Sequence, residues 1–212
     1  MRRTPGRSVV FSSLLCAASA GATGVAVQVQ DAAGKPLPDT VIFIEPDGAV
    51  PAARNPGGAE IEQKGLKFLP LVTVIQTGGR INFPNNDKVR HHIYSFSPAH
   101  KFDQKLYSGQ AATPQVFDKA GTVVLGCNIH DKMLAYVKIV DTPYFAKTDG
   151  AGAARIDLPA AGKYTVKAWH YNTVGGATPE QVLTVKAGDA LATTVFKLPM
   201  KPPAAADAAS TL

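Results

Sequence analysis

The chain reads as an all-β protein, a sandwich or a barrel. Three observations predict this. Short apolar runs alternate with polar residues at a period of two. Clusters of Gly, Pro, Asp and Asn separate those runs at regular spacing. No stretch longer than a turn or two carries helical periodicity. Many short strands joined by such turns are the signature of two packed sheets or a closed one.

The first segment stands outside the fold. MRRTPGRSVVFSSLLCAASAGA carries Arg2, Arg3 and Arg7, a short apolar run from Val9 to Ala18, and the small-x-small site Ala18-Ser19-Ala20. This is the shape of a secretory signal over residues 1–20, with Ala20-Gly21-Ala22 as a second cleavage site. Leu15 stands where a lipid-anchored Cys16 would need a small residue. The apolar run is too short to cross a bilayer, and no later segment is long and apolar enough. The expectation is an exported chain, periplasmic or secreted, and not transmembrane.

The leader also distorts the charge. The formal net charge is +6, and removing three arginines and no acid brings it to +3. The remainder has no basic run and no aromatic–basic interleaving, which sets nucleic acid aside as a partner. About 190 residues can bury one sizeable core or two small ones.

The strands then follow in order. VAVQVQ (25–30) alternates and leads through DAAGKPLPD into TVIFIEP (40–46). Residues 47–60 are rich in Gly, Pro and Ala and read as a loop. LVTVIQ (71–76), RINF (80–83) and HHIYSFS (91–97) are separated by the turns TGG and PNND. After a less regular stretch come PQVFD (114–118), TVVLGC (122–127) and MLAYVKIV (133–140). ARIDLP (154–159), YTVKAWHY (164–171), EQVLTVKAG (180–188) and ATTVFKLP (192–199) complete the set, and residues 201–212 form a low-complexity tail read as disordered.

The chemistry lies in GCNIHDKM, residues 126–133. Cys127 is the only cysteine outside the leader, so an internal disulfide is impossible, and a lone exported thiol calls for burial or coordination. Cys127 ends one predicted strand, Met133 begins the next, and His130 lies on the loop between them. Thiolate, imidazole and thioether are soft to borderline ligands; two His and one Cys with a weak axial Met define the blue-copper electron-transfer site. His91-His92 supplies the second imidazole, and successive strand residues face opposite ways, so only one of the two points at the site. Zinc fits less well, because structural zinc takes four Cys or His ligands rather than Met. A binuclear copper centre needs two cysteines. As a nucleophile, Cys127 lacks a group to orient the histidine and an oxyanion hole. No phosphate loop, triad or nucleotide fingerprint occurs, and the expectation is that the chain is not an enzyme. His100 reads as a solvated loop residue, and His170 as part of a strand's packing.

These residues resemble the cupredoxins, the small blue copper proteins. Cys127, His130 and Met133 give C-x-x-H-x-x-M, the short ligand-loop spacing of the amicyanins. Upstream, Asn85-Asn86 precedes His91 by four intervening residues, DKVR, as the Asn-Asn turn precedes the first histidine ligand in plastocyanins. The resemblance covers about residues 67–140. It implies a Greek-key sandwich over 60–141 and one type 1 copper held by His91, Cys127, His130 and Met133. Where the family often has Asn after the first ligand, this chain has His92, whose backbone N–H can still serve the thiolate.

The flanks resemble carboxypeptidase regulatory-like, or prealbumin-like, sandwiches: VQVQDAAGKPLPDTVIFIEPDG at the start and AKTDGAGAARIDLPAAGKYTVKAWH later. On this reading 24–50 and 142–200 form one small β-sandwich with the copper domain inserted in its loop. The alternative gives 24–46 to the copper domain and leaves a separate C-terminal sandwich. The resemblances together imply a one-electron carrier whose partner is a redox protein such as a c-type cytochrome or a periplasmic dehydrogenase. The amicyanin-like spacing implies an amine-oxidising chain. The other readings are a copper-binding carrier without redox turnover, and a structural or ligand-binding sandwich with a vestigial site.

Overall fold

Seventeen short strands and one 3-10 turn account for the regular structure of the computed structural model, which describes residues 23–50, 56–108, 113–186, 188 and 191–202. The chain is all-β, as the sequence predicts. The predicted signal segment and all but Lys201 and Pro202 of the predicted tail lie outside the described residues. In order the strands are β1 (Gly24–Asp31), β2 (Val41–Pro46), β3 (Gly58–Glu60), β4 (Glu62–Gln63), β5 (Phe68–Leu69), β6 (Val72–Gln76), β7 (Gly79–Asn82), β8 (His91–Ser97) and β9 (His100–Tyr107). There follow β10 (Gln115–Phe117), β11 (Gly121–Cys127), β12 (Leu134–Val140), β13 (Phe145–Lys147), β14 (Ala153–Asp157), β15 (Gly162–Trp169), β16 (Glu180–Val185) and β17 (Ala192–Leu198).

The two ends of the chain build one sandwich. Its sheets run β14-β1-β17 and β13-β2-β15-β16, so β1 and β2 pair only with strands that follow residue 144. Alternation explains the packing. Val25, Val27 and Val29 of β1, with Phe196 of β17 beside them in the same sheet, face Ile42, Ile44 and Val166 across a shared core. Two turns that read alike in sequence are also built alike. In D-A-A-G, Asp31 Oδ1 accepts the N–H groups of Ala33 and Lys35, both at 2.9 Å. In D-G-A-G, Asp149 Oδ1 accepts those of Ala151 and Ala153, again at 2.9 Å. Each is an Asx turn followed by a glycine at positive φ, Gly34 at 85° and Gly152 at 74°.

The middle of the chain builds the other sandwich, from the sheets β6-β12-β11-β8-β9 and β10-β7-β3 with the small β4-β5 pair beside them. Phe83, Phe117, Ile93, Leu125, Val137 and Ile139 are buried in its core, and Cys127 and Met133 belong to the same cluster. The metal-type residues therefore stand at one end of a hydrophobic core rather than on a free loop.

A third cluster joins the two units. TVIFIEP reads as a nearly unbroken apolar run because β2 is buried on both faces: Ile42 and Ile44 enter the first core, while Val41 and Phe43 meet Val72, Val140 and Trp169. β12 is shared in the same way, with Ala135, Val137 and Ile139 inward and Tyr136 and Val140 toward the interface. The Lys138 ammonium sits 5.5 Å from the ring centres of both Phe43 and Trp169, a cation–π arrangement. Burial, with Lys167 nearby, holds its pKa below the ordinary lysine value. Lys147 ties the units further through Nζ bonds of 2.8 Å to Asp39 and to the Val72 carbonyl.

Two expectations need correction. The irregular stretch after residue 97 contains β9, an edge strand whose Lys101, Asp103 and Lys105 are exposed and blunt the hydrophobic alternation. His100 is accordingly no solvated loop residue: it is half-buried at the start of β9, 4.4 Å from the Phe117 ring centre and 5.3 Å from that of Phe102.

His170 is buried and stacks on Tyr171 at 4.3 Å, and its Nδ1 accepts the Asn172 N–H at 3.0 Å. Burial pushes its pKa below the ordinary 6.5, although Asp39 and a bond to the Pro38 backbone pull the other way. A lowered folded value means that the unfolded chain binds the extra proton first. The neutral ring thus contributes its full stability above about pH 6.5 and loses it as pH falls through the folded value. Urea midpoints of the metal-free chain at pH 7.5 and 5.5 should fall less for His170→Gln than for the unaltered chain. An equal fall would assign the acid sensitivity elsewhere.

Candidate metal centre

The site begins with strand pairing. β11 lies antiparallel to β8 with Gly126 opposite Tyr94 and Cys127 opposite Ile93, which brings the end of one strand beside the start of the other. Gly126 is needed there. A Cβ at that position would lie 2.8 Å from the Tyr94 ring, which crosses over it. Beyond Cys127 the Asn128 N–H donates to the His92 carbonyl at 3.2 Å, and the Met133 N–H closes the loop onto the His130 carbonyl at 2.9 Å. The loop is thus tied at both ends, and it turns His130 back toward the strand.

Three donor atoms converge. His91 Nδ1 lies 3.1 Å from His130 Nδ1, and Cys127 Sγ lies 4.0 Å from the first and 3.7 Å from the second. A point equidistant from all three is about 2 Å from each, against metal–imidazole bonds of about 2.0–2.1 Å and metal–thiolate bonds of about 2.3 Å. The spacing and chemistry of the donors fit one small, borderline-soft metal ion. His91 is fully buried and Cys127 nearly so, while His130 is only half-buried and opens onto a cleft lined by Gly65, Leu66, Lys67, Asp131 and Lys132.

The predicted residues fall as follows. His91, Cys127 and His130 come together. Met133 is 2% exposed and packs in the same core cluster as Cys127. His92 turns the other way, to the surface, and bonds to the exposed Asp103 through Nε2. A register shift in the β8–β9 pairing between His91 and Ile93 accompanies this divergence. Ile129 and Leu134 are both exposed, at 48% and 41%.

Sequence reasoning missed the supports of the site. Asp87 Oδ2 lies 2.8 Å from His91 Nε2 and also accepts the Leu66 N–H at 3.0 Å, while Oδ1 accepts the Gly65 N–H at 2.7 Å. Burial raises the Asp87 pKa, but the Leu66 amide, the His91 ring and the Gly65 amide outweigh it and hold the carboxyl below its ordinary value. Asn85, itself buried, bridges the loop: its Nδ2 donates to the carbonyls of Val89 and Tyr107, both at 2.9 Å, and its Oδ1 accepts the Asp87 N–H at 3.0 Å. Tyr107 donates to the Phe83 carbonyl and accepts from Gln63 Nε2, both at 2.5 Å, and burial pushes its pKa up to about 12. The signal available for Asp87 was its place four residues before His91 in NNDKVRHH, where it reads as one more turn residue.

No protein-family model matches the chain, and no curated protein matches it. Among solved structures, a purple cupredoxin from Nitrosopumilus maritimus is 22% identical, covering 38% of this chain and 98% of that one with a TM-score of 0.34. An amicyanin from Paracoccus versutus is 16% identical over 46% of this chain and 97% of its own, with a TM-score of 0.35. A copper-containing nitrite reductase from Thermus scotoductus SA-01 is 22% identical, covers 45% of this chain and only 25% of that one, and has a TM-score of 0.37.

Asn85→Ala strips partners from two carbonyls and one N–H in a buried loop, which should cost about 1–3 kcal/mol. Urea denaturation of the metal-free chain measures this, and a negligible loss would show that water replaces the amide.

Proposed function

We propose that the chain is an exported one-electron carrier built around a single type 1 copper ion. His91 and His130 would bind through Nδ1, Cys127 through its thiolate, and Met133 would serve as the weak axial ligand. The observation that carries this reading is the convergence of two Nδ1 atoms and one Sγ on a point at bonding distance from all three, within a buried pocket. Copper so held supplies chemistry that alternates between Cu(I) and Cu(II). The protein's part is to keep the ligands still. Cys127 ends a paired strand, Met133 is packed in the core, and His91 is fixed from behind by Asp87. Ligands held this way would move little between the two oxidation states, which would keep electron transfer fast.

The partly open imidazole of His130 is the route for the electron. Leu66 and Ile129, 47% and 48% exposed, give the surrounding loops an apolar character. Lys67 and Lys132 share the cleft with one exposed acid, Asp131. A redox protein with an acidic docking face fits this end, such as a c-type cytochrome or a periplasmic dehydrogenase. The pairing of β1 and β2 with late strands alone supports treating residues 60–141 as a copper domain inserted into a sandwich made of 24–50 and 142–200.

The test is the visible spectrum and voltammetry of the copper-loaded chain without its leader. One bound copper, a strong thiolate-to-copper band absent from Cys127→Ser, and reversible one-electron cycling are expected. His91→Ala should abolish the band and His92→Ala only perturb it; the reverse result would overturn the ligand assignment. Copper binding without the band would make the chain a metal carrier, and no stoichiometric binding would leave a structural or ligand-binding sandwich.

A further inference from the structure

We propose that Asp87 is the positioning residue of this site: it fixes the tautomer of His91 and biases the bound copper toward its oxidised state. The inference rests on the copper reading above and extends it to a residue that touches no metal.

His91 is fully buried. Its side chain has no exposure, so solvent cannot take the proton of the second ring nitrogen, and the protein must provide for it. The group facing Nε2 is the Asp87 carboxylate at 2.8 Å. A carboxylate only accepts, so the neutral ring must carry its proton on Nε2, which leaves the Nδ1 lone pair free. Nδ1 is the atom that faces Cys127 and His130. The tautomer needed for metal binding is therefore set before any metal arrives.

Asp87 is itself held. Gly65 and Leu66 have successive positive φ values, 62° and 57°, and their N–H groups both point at its carboxylate. Consecutive amides arranged this way form a small anion-binding nest. With the Asn85 bond to its own N–H, the carboxylate has almost no freedom. It places a fixed negative charge one ring away from the site, and a carboxylate behind a metal-bound imidazole raises that ligand's basicity. Both effects favour Cu(II) over Cu(I). His130 lies half-open at the cleft instead, so the two imidazoles differ in role: one is anchored and the other exchanges electrons with the outside.

A purely structural clamp on the Gly65–Leu66 turn would use the same bonds, and the experiment must tell the two apart. The reduction potential of copper-loaded Asp87→Asn is compared with that of the unaltered chain, together with urea midpoints of both metal-free proteins. A tenfold fall in the ratio of Cu(II) to Cu(I) affinity is expected, read as a potential about 59 mV higher. An unchanged potential with a lower urea midpoint would overturn the proposal in favour of the clamp. Should Asp87→Asn not fold, the unaltered metal-free chain still decides by nitrogen NMR of its histidines. His91 should show the Nε2–H form with a proton slow to exchange, and the Nδ1–H form or a rapidly exchanging proton would overturn the proposal. Failure of the unaltered chain to bind copper would overturn the copper reading itself, and is seen before any variant is made.

Discussion

The site depends on one short stretch of backbone pairing. β8 and β11 are registered through only two residue pairs, Gly126 with Tyr94 and Cys127 with Ile93, yet that contact brings His91 beside a cysteine 36 residues later. Closing so long a loop is entropically unfavourable, and something must stabilise the closed form. The stabilisation comes from the core: Ile93, Leu125, Cys127 and Met133 share one buried cluster, so the contact that assembles the donors is also a hydrophobic one. Gly126 completes the geometry, because the Tyr94 ring occupies the space a side chain would need. Metal-type residues and fold are therefore not separable here. Cys127 and Met133 are core residues, and the Cys127 sulfur faces both imidazoles.

Much of this was legible in the sequence, and the physical reasons are specific. Strands with one buried face announced themselves by alternation, as β1 and β11 did, and β2 by the apolar run that two buried faces require. The meeting of Cys127 and His130 was legible because an unpaired cysteine stands three residues before an imidazole on a predicted turn. The choice between His91 and His92 was not legible. Adjacent strand residues point oppositely, and which of the two faces inward follows the alternation of β8, where His91 shares the buried face with Ile93 and Ser95. Asp87 was hidden for a different reason. Aspartate is common in turns, and nothing in NNDKVR says that its carboxylate reaches forward to a ring and back to two amides some twenty residues upstream. β9 was hidden because an edge strand carries charge where an inner strand would carry apolar residues.

The second sandwich bears on the site by where it does not sit. It packs on the part of β12 that holds Tyr136 and Val140, with Val72 of β6 beside them. The donors gather beyond the start of the same strand, before Leu134. Two sandwiches that meet through the two-faced strands β2 and β12 are held by packed side chains and by the Lys147 bond to the Val72 carbonyl, not by their linkers alone. The open end of the cleft beside His130 thus keeps a fixed orientation relative to the rest of the molecule.

That arrangement gives the two histidines opposite environments, and the proposed redox role would use both. A redox site that is wholly enclosed exchanges electrons slowly, because distance to the partner grows on every side. One that is wholly open admits water and lets its ligands reorganise. Here His91 is enclosed and braced by a carboxylate that itself accepts two backbone N–H groups, while His130 reaches the cleft between Leu66 and Lys132. The turn carrying Leu66 is the same turn whose amides hold Asp87. On the proposed reading, the surface that would meet a partner and the charge that would bias a bound metal are parts of one hydrogen-bonded unit, joined through a single carboxylate.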